Sequence, residues 1–117
     1  MPLFQILCRG QVIGHSKLEF DDAPMGVAHG QFIPNENYSD IQPEIIGTYG
    51  NQKHLCFTAF SEDGRLVPSD TIAINDRSAE FGLEGLYIEL LVTTDLVYQE
   101  FFPHHVEAYE KRFPSAP

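Results

Sequence analysis

The sequence predicts an α+β fold in which antiparallel strands form most of a single domain spanning residues 1–117. Three observations support this class. Hydrophobic residues make up 43% of the chain, which is enough to build one core without a metal or a disulfide. Short apolar segments with period-two alternation are separated by Gly, Asp and Pro, a pattern that is typical of antiparallel strands. In addition, the same order of turns and strands occurs twice along the chain.

This internal repeat divides the chain into two halves, residues 1–54 and 55–117. The turn residues Gly10 and Gly64 align at an offset of 54, and the pattern Y-x-[DE]-[IF]-x-P then occurs once in each half. We therefore predict two three-stranded meanders related by a pseudo-two-fold axis, each followed by a short helix. Alternating strands and glycine turns can also align by chance, so a chance alignment without a true repeat is the alternative interpretation.

The first half supplies the first meander. Residues 4–8 alternate as a strand, and a tight Arg-Gly-Gln turn leads into a second strand over residues 12–20. Alternation on this second strand predicts a core face that ends in Leu18 and Phe20. The turn DDAPMG then leads to a third strand over residues 27–33, since Pro and Gly both favour a turn there.

The second half follows the same plan with larger side chains. Strands are predicted over residues 55–60 and 65–74, with an Asp-Gly turn signal between them. Leu86–Val92 is the most apolar segment of the chain, so we expect it at the centre of the sheet. The residues Thr-Thr-Asp can cap a helix over residues 96–102, and Pro103 suits the first turn of a second helix.

The charge of the chain excludes some partners and favours others. Seventeen Asp and Glu residues against seven Lys and Arg residues give a formal charge of −10. This balance argues against binding to nucleic acids or to anionic membrane surfaces, because phosphate recognition needs clustered Lys and Arg. Residues 1–54 carry six acids and three bases, for a net charge of −3, whereas residues 55–117 carry eleven and four, for −7. A basic protein partner is therefore expected mainly on the second half.

Cysteine usage and the start of the sequence predict a cytoplasmic protein. Cys8 and Cys56 lie in apolar runs without C-x-x-C or zinc-ligand spacing, which favours buried, reduced thiols. The first residues lack the basic region of a secretory signal, and no apolar run reaches the roughly 18 residues that span a bilayer. We accordingly predict no membrane association.

No motif in the chain points to a metal or a cofactor. His104 and His105 are adjacent, and His104 with Glu107 could offer a metal two ligands from one face of a helix. Neighbouring residues on a helix point about 100° apart, so two adjacent histidines rarely share an ion. Motifs for nucleotide binding and for common hydrolases are also missing, and no set of motifs identifies a known family. We predict neither a metal nor a cofactor.

The weak catalytic candidates are two carboxylates and two imidazoles: Asp22, Asp76, His29 and His104. Two carboxylates in different environments can act as an acid and a base, provided that the fold brings them together. A pocket between the two halves would allow this, and it gives the alternative function of a small enzyme or ligand-binding domain. Aspartate at a turn more often bonds its own backbone, which favours a structural role.

Tyrosines beside carboxylates favour a protein-binding surface, because tyrosine supplies contact area at low entropy cost and carboxylates attract a basic partner. The predicted partner-binding residues are Tyr49, Asp76, Glu80, Glu84, Tyr87 and Glu89. The function predicted first is a non-enzymatic acidic binding protein that occludes a basic partner such as a toxin, in the manner of an immunity protein or inhibitor. The acidic turns of the two halves form either one patch or two.

The sequence is compatible with a monomer or a homodimer. A dimer would use the apolar strand Leu86–Val92 as an edge, because an exposed strand edge can pair with another chain.

Overall fold

In the part of the chain that the structure describes, eight antiparallel strands form two four-stranded sheets, and four short α-helices complete the α+β fold that the sequence predicts. The computed structural model describes residues 3–22 and 25–112. The strands are β1 (Phe4–Cys8), β2 (Gln11–Ser16), β3 (Phe20–Asp22), β4 (Val27–Gln31), β5 (Ile33–Pro34), β6 (Phe57–Phe60), β7 (Ser69–Asp76) and β8 (Leu86–Val92). The helices are α1 (Tyr38–Gly47), α2 (Ser78–Phe81), α3 (Asp95–Phe101) and α4 (Pro103–Arg112).

The strand order mixes the two halves of the chain. Sheet A has the order β5-β2-β1-β6, and sheet B has the order β3-β4-β8-β7. A strand of the first half therefore pairs with one of the second half in each sheet, β1 with β6 and β4 with β8. The described residues form eight strands in two antiparallel sheets, each with strands from both halves, where the sequence predicts six strands in two meanders. The internal repeat and its pseudo-two-fold axis stay predictions.

The predicted second strand, residues 12–20, is interrupted as the chain passes from sheet A to sheet B. β2 ends at Ser16, and Leu18 adopts a left-handed conformation with φ of 45°. The hydroxyl of Ser16 accepts a hydrogen bond from the Leu18 N–H at 3.0 Å, which closes this local turn. Alternation is lost at the turn, so Leu18 is buried but Phe20 is 50% exposed. The expectation that both residues end one core face was wrong for Phe20.

Strand β8 lies at the centre of sheet B, as its apolar sequence predicts. It pairs with β4 on one side and with β7 on the other. Its alternate residues Leu86, Ile88, Leu90 and Val92 are buried in the one core that both sheets share. Because both of its edges are paired, β8 has no free edge through which a homodimer could form.

The helices begin close to the predicted positions. The Thr94 side chain caps α3 by accepting a hydrogen bond from the Val97 N–H at 3.2 Å, and Pro103 opens α4. Helix α1 packs on the core through Tyr38, whose ring lies 5.2 Å from that of Phe32. Within residues 3–22 and 25–112, every helix is too short or too polar to cross a membrane.

Candidate binding surface

One face of sheet B is turned away from the core, and we call it the open face. Side chains that are paired across neighbouring antiparallel strands point to the same side of the sheet. Strand β8 shows this separation clearly, since Ile88 is fully buried whereas Tyr87 and Glu89 are exposed. The described residues of the open face are Phe20, Val27, His29, Gln31, Thr71, Ala73, Asn75, Tyr87, Glu89 and Leu91.

The central row of the open face combines aromatic and acidic groups. Its members in strand order are Phe20, His29, Glu89 and Ala73. The rings of Phe20 and His29 stack with centroids 5.5 Å apart. Glu89 lies beside His29 in the middle of the sheet and forms no ion pair with any described residue. The row therefore presents an aromatic patch next to a carboxylate that no described cation neutralises.

Tyr49 covers one side of the open face and creates a small cavity there. Helix α1 ends at Gly47, and the next turn is held by a 2.9 Å hydrogen bond from the Asn51 N–H to the Thr48 carbonyl. This turn carries Tyr49 over the sheet. The resulting cavity of about 180 Å³ is lined by His29, Tyr49, Ala73, Asn75, Tyr87 and Glu89. Three of the predicted partner-binding residues thus come together from two separate segments: Tyr49 from the turn after α1, and Tyr87 and Glu89 from β8.

A protruding turn extends the open face at the Tyr87 end. Phe81 and Leu83 on this turn are 57% and 58% exposed, and Gln31 Nε2 ties the turn to the sheet by donating to the Leu83 carbonyl at 3.2 Å. The two predicted acids of this turn differ in their partners. Glu80 forms an ion pair with Arg77 at 3.1 Å, whereas Glu84 is exposed and has no ion pair within the described part of the chain.

Sequence reasoning missed the apolar members of this surface. Phe81 and Leu83 flank Gly82 between two glutamates in the run EFGLE, and exposed apolar residues within a charged turn are the signal that was available. Phe20 was missed for another reason, because its exposure depends on the break in the strand at Leu18.

Asp76 lies outside the binding surface, although it was predicted to belong there. Its carboxylate accepts hydrogen bonds from the Tyr38 hydroxyl at 2.5 Å and from Gln42 Nε2 at 3.0 Å. It also accepts from the backbone N–H of Ser78 at 2.8 Å and from the Ser78 hydroxyl at 2.6 Å. These contacts join the end of β7 to α1 and to α2, so Asp76 has a structural role at this corner.

The charge state of this corner follows from the same contacts. Burial alone would raise the pKa of Asp76. The hydrogen bonds from Ser78, Tyr38 and Gln42 together lower it by more, so the pKa of Asp76 lies below its ordinary value. Burial, together with Asp76, raises the pKa of Tyr38. Asp76 is therefore the charged acceptor and Tyr38 the neutral donor at neutral pH.

The acidic turns of the two halves lie at opposite ends of sheet B. In the strand register, Asp22 pairs with Val27, which pairs with Leu91, whereas Asp76 pairs with Leu86. Leu86 and Leu91 are five residues apart on β8, or about 17 Å at the usual rise of a strand. The backbone positions of Asp22 and Asp76 are therefore separated along sheet B.

The three weak catalytic candidates with described side chains, Asp76, His29 and His104, do not converge. His29 lies on the open face, Asp76 lies in the corner beside α1, and the side chain of Asp22 is outside the described residues. His104 lies in the first turn of α4, where its ring is 4.1 Å from that of His105 and its buried Nε2 has no hydrogen-bond partner in the described part. Burial and the neighbouring His105 lower the pKa of His104. A catalytic pocket between the halves is not formed by these residues.

The described residues contain no group of three or more His, Cys, Asp or Glu that is arranged to hold a metal ion. No protein-family model, no curated protein and no solved structure matches the chain. The arrangement of its own residues is therefore the basis for proposing a function.

Proposed function

We propose that this protein is a non-enzymatic acidic binding protein that occludes a basic protein partner, in the manner of an immunity protein or an inhibitor. One observation carries the proposal: Tyr49, Tyr87 and Glu89 surround a single cavity on an exposed sheet face. Tyrosines that line a concave site, next to a carboxylate without a cation, favour a partner that inserts a basic side chain.

The charge distribution supports a basic partner. Arg9, Arg65 and Arg77 each form ion pairs with carboxylates of the same chain, so these cations are already neutralised. Glu84 and Glu89 have no such pair among the described residues. The surface of the second half thus keeps an excess of negative charge, which attracts a basic protein over several ångströms and speeds association.

Exposed apolar side chains support a protein partner over a small cation. Phe20, Phe81 and Leu83 are each at least half exposed, and they lie on or beside the open face. Clusters of large exposed apolar residues with a polar rim mark protein-binding sites, because burying them on association releases water. The expected interface buries these apolar side chains together with the cavity beside Glu89.

The proposal is tested by comparing variants of the open face with a matched control. Glu89→Gln removes one open-face charge, Tyr87→Ala removes one aromatic group, and Glu62→Gln removes the same charge from a distant exposed turn. Proteins retained from a cell extract by each immobilised variant are quantified by mass spectrometry. The partner is then purified, and its affinity is measured across a range of ionic strength.

We expect a basic protein that binds the wild type and Glu62→Gln equally, and binds both open-face variants at least about tenfold more weakly. Its affinity should fall as salt is added. An affinity that is independent of salt, or equal for all four proteins, would contradict the proposal.

We further propose that the protein acts in the cytoplasm. Cys8 and Cys56 are both free thiols, which is the usual state in a reducing compartment. The thiol of Cys8 is buried and donates to the Leu55 carbonyl at 3.1 Å. Cys56 is exposed, so the expectation of two buried thiols was wrong for Cys56. Cell fractionation of the tagged protein tests this location, and recovery outside the cytoplasmic fraction would contradict it.

A further inference from the structure

Strand β7 is an edge of sheet B, and the pairing of Ile74 shows which backbone groups point outward. The Ile74 N–H donates to Gln52 Oε1 at 2.9 Å, and Gln52 Nε2 donates to the Ile74 carbonyl at 3.0 Å. Both backbone groups of Ile74 thus point away from β8. Because this direction repeats every second residue of an antiparallel strand, the N–H and C=O of Ile72 also point away from β8.

Gln52 occupies this edge as an added strand would. Its buried side-chain amide offers one acceptor and one donor to a single residue, which is the pattern that a backbone amide gives to a neighbouring strand. The occupation stops at Ile74. The outward-pointing N–H and C=O of Ile72 have no hydrogen-bond partner among the described residues. One donor and one acceptor of the edge are therefore left open.

Ile72 faces a groove that we call the edge groove, with a volume of about 390 Å³. One wall is β7, and the other consists of residues 49–53 and 56–57. Phe57 on this second wall is the first residue of β6, and its backbone groups also point into the groove. The carbonyl of Ala59 accepts a hydrogen bond from the Val67 N–H, so the backbone groups of Ala59 point away from β1. Phe57 is two residues earlier on the same strand, and its backbone groups therefore point the same way. The groove thus has a free strand edge on each side.

We propose that the edge groove binds an extended peptide segment of a partner protein, which adds as a short strand to β7 at Ile72. The backbone of an extended segment provides the donor and the acceptor that Ile72 lacks, as in other cases of strand addition. The segment is short, because Gln52 blocks the edge at Ile74 and a bulge between Ser69 and Thr71 ends regular pairing on the other side.

Two features of the edge groove define its occupant further. Pairing of β7 with the β7 edge of a second copy is excluded, because each of these edges lies behind residues 49–53 and 56–57 of its own chain. Lys53 and Asp70 both line the groove, and neither forms an ion pair with a described residue. A segment that carries one acidic and one basic side chain fits this pair of charges.

This site goes beyond the proposed acidic binding function and rests on a different observation, the open backbone groups of Ile72. The edge groove lies beside the open face and shares Tyr49 and Ala73 with its cavity. Glu89→Gln separates binding at the two sites, because Glu89 lines the cavity of the open face but does not line the edge groove.

The test uses a displayed library of short linear peptides, from which the enriched sequence is synthesised and titrated by calorimetry. Ile72→Pro removes the outward N–H, and Pro is tolerated at an edge position where that N–H does not pair within the sheet. Ile72→Ala removes a similar part of the apolar side chain but keeps the N–H, so it is the matched control. We expect Ile72→Pro to bind the peptide about tenfold more weakly than Ile72→Ala does, while Glu89→Gln binds as the wild type.

A second measurement on the wild type does not depend on whether Ile72→Pro folds. Hydrogen exchange by NMR should show a fast Ile72 amide in the free protein and a slow one when the peptide is bound. A peptide that is N-methylated at its pairing amide should not give this protection.

The proposal is overturned by a library that enriches no sequence, by equal affinity of the two Ile72 variants, or by an Ile72 amide whose exchange rate the peptide leaves unchanged. Protection of Ile72 that rises with protein concentration alone would assign the edge to a second copy and would also overturn it.

Discussion

Asp76 and Glu89 lie on adjacent strands of sheet B and were predicted for one binding surface, yet their surroundings differ completely. Asp76 ends β7, where Tyr38, Gln42 and Ser78 donate hydrogen bonds to its carboxylate. Glu89 lies in the middle of β8 on the open face, where no described cation pairs with it. The comparison shows that neighbouring turns and helices can donate hydrogen bonds to an acid at the end of a strand, which gives that acid a structural role. An outward acid in the middle of a strand stays available to a partner.

Asp76 and Glu89 should differ most in how much each stabilises the fold. Asp76→Ala should lower the free energy of unfolding by about 3 kcal/mol, because it leaves the buried Tyr38 hydroxyl and other donors without an acceptor. Urea denaturation followed by circular dichroism measures the change. The matched control is Asp70→Ala, which removes an exposed aspartate from the same strand and should change stability by less than about 0.5 kcal/mol. Equal losses in both variants would show that the corner contacts do not stabilise the fold.

Gln52 is a buried, uncharged side chain that, like Asp76, is expected to stabilise the fold through its hydrogen bonds. Gln52→Ala should cost about 2 kcal/mol of stability, since the Ile74 N–H and C=O both lose their partner in a buried place. Gln11→Ala provides the control, because Gln11 is exposed on β2. Thermal unfolding of the two variants checks the difference. If Gln52→Ala unfolds at the same temperature as the control, the amide is dispensable and the β7 edge needs no partner at Ile74.

The pH dependence of stability gives a smaller but more specific test of Asp76. Its pKa is lowered on folding from the ordinary value of about 3.9, so its stabilising contribution is present above that pH. The contribution is lost as the pH falls through the lower, folded-state pKa. The stability difference between the wild type and Asp76→Asn should therefore be full near neutral pH and shrink below about pH 4. A difference that stays constant under acid conditions would mean that the charge of Asp76 contributes nothing.

Local patterns in the sequence were sufficient for much of the fold. Alternation and turn residues predicted the antiparallel α+β class, and apolar content placed β8 at the centre of sheet B. The cap at Thr94 also depends only on nearby residues. Of the binding surface, Tyr49, Tyr87 and Glu89 were predicted because tyrosines and acids in loops and on outward strand positions usually remain exposed.

The features that sequence reasoning missed depend on contacts between distant segments. Asp76 resembles any acid at a turn until helix α1 packs against β7 and brings Tyr38 to it, 38 residues away in sequence. The edge role of Gln52 likewise needs Ile74, which is 22 residues away. The break at Leu18 is local, but a left-handed non-glycine residue has no clear signature in one sequence.

The smallest expected effect on stability is the one at Glu89. Glu89→Gln removes one negative charge from a chain with a net charge of −10 and breaks no ion pair with a described residue. We expect a change within about 0.5 kcal/mol, and in the stabilising direction at low salt because mutual repulsion between acids decreases. Denaturation at low and high ionic strength measures it, with Glu62→Gln as the charge-matched control. A loss above about 1 kcal/mol would place Glu89 with Asp76 as a structural acid. A neutral or stabilising change, combined with weaker binding of a basic partner, would instead mean that Glu89 serves the interface rather than the fold.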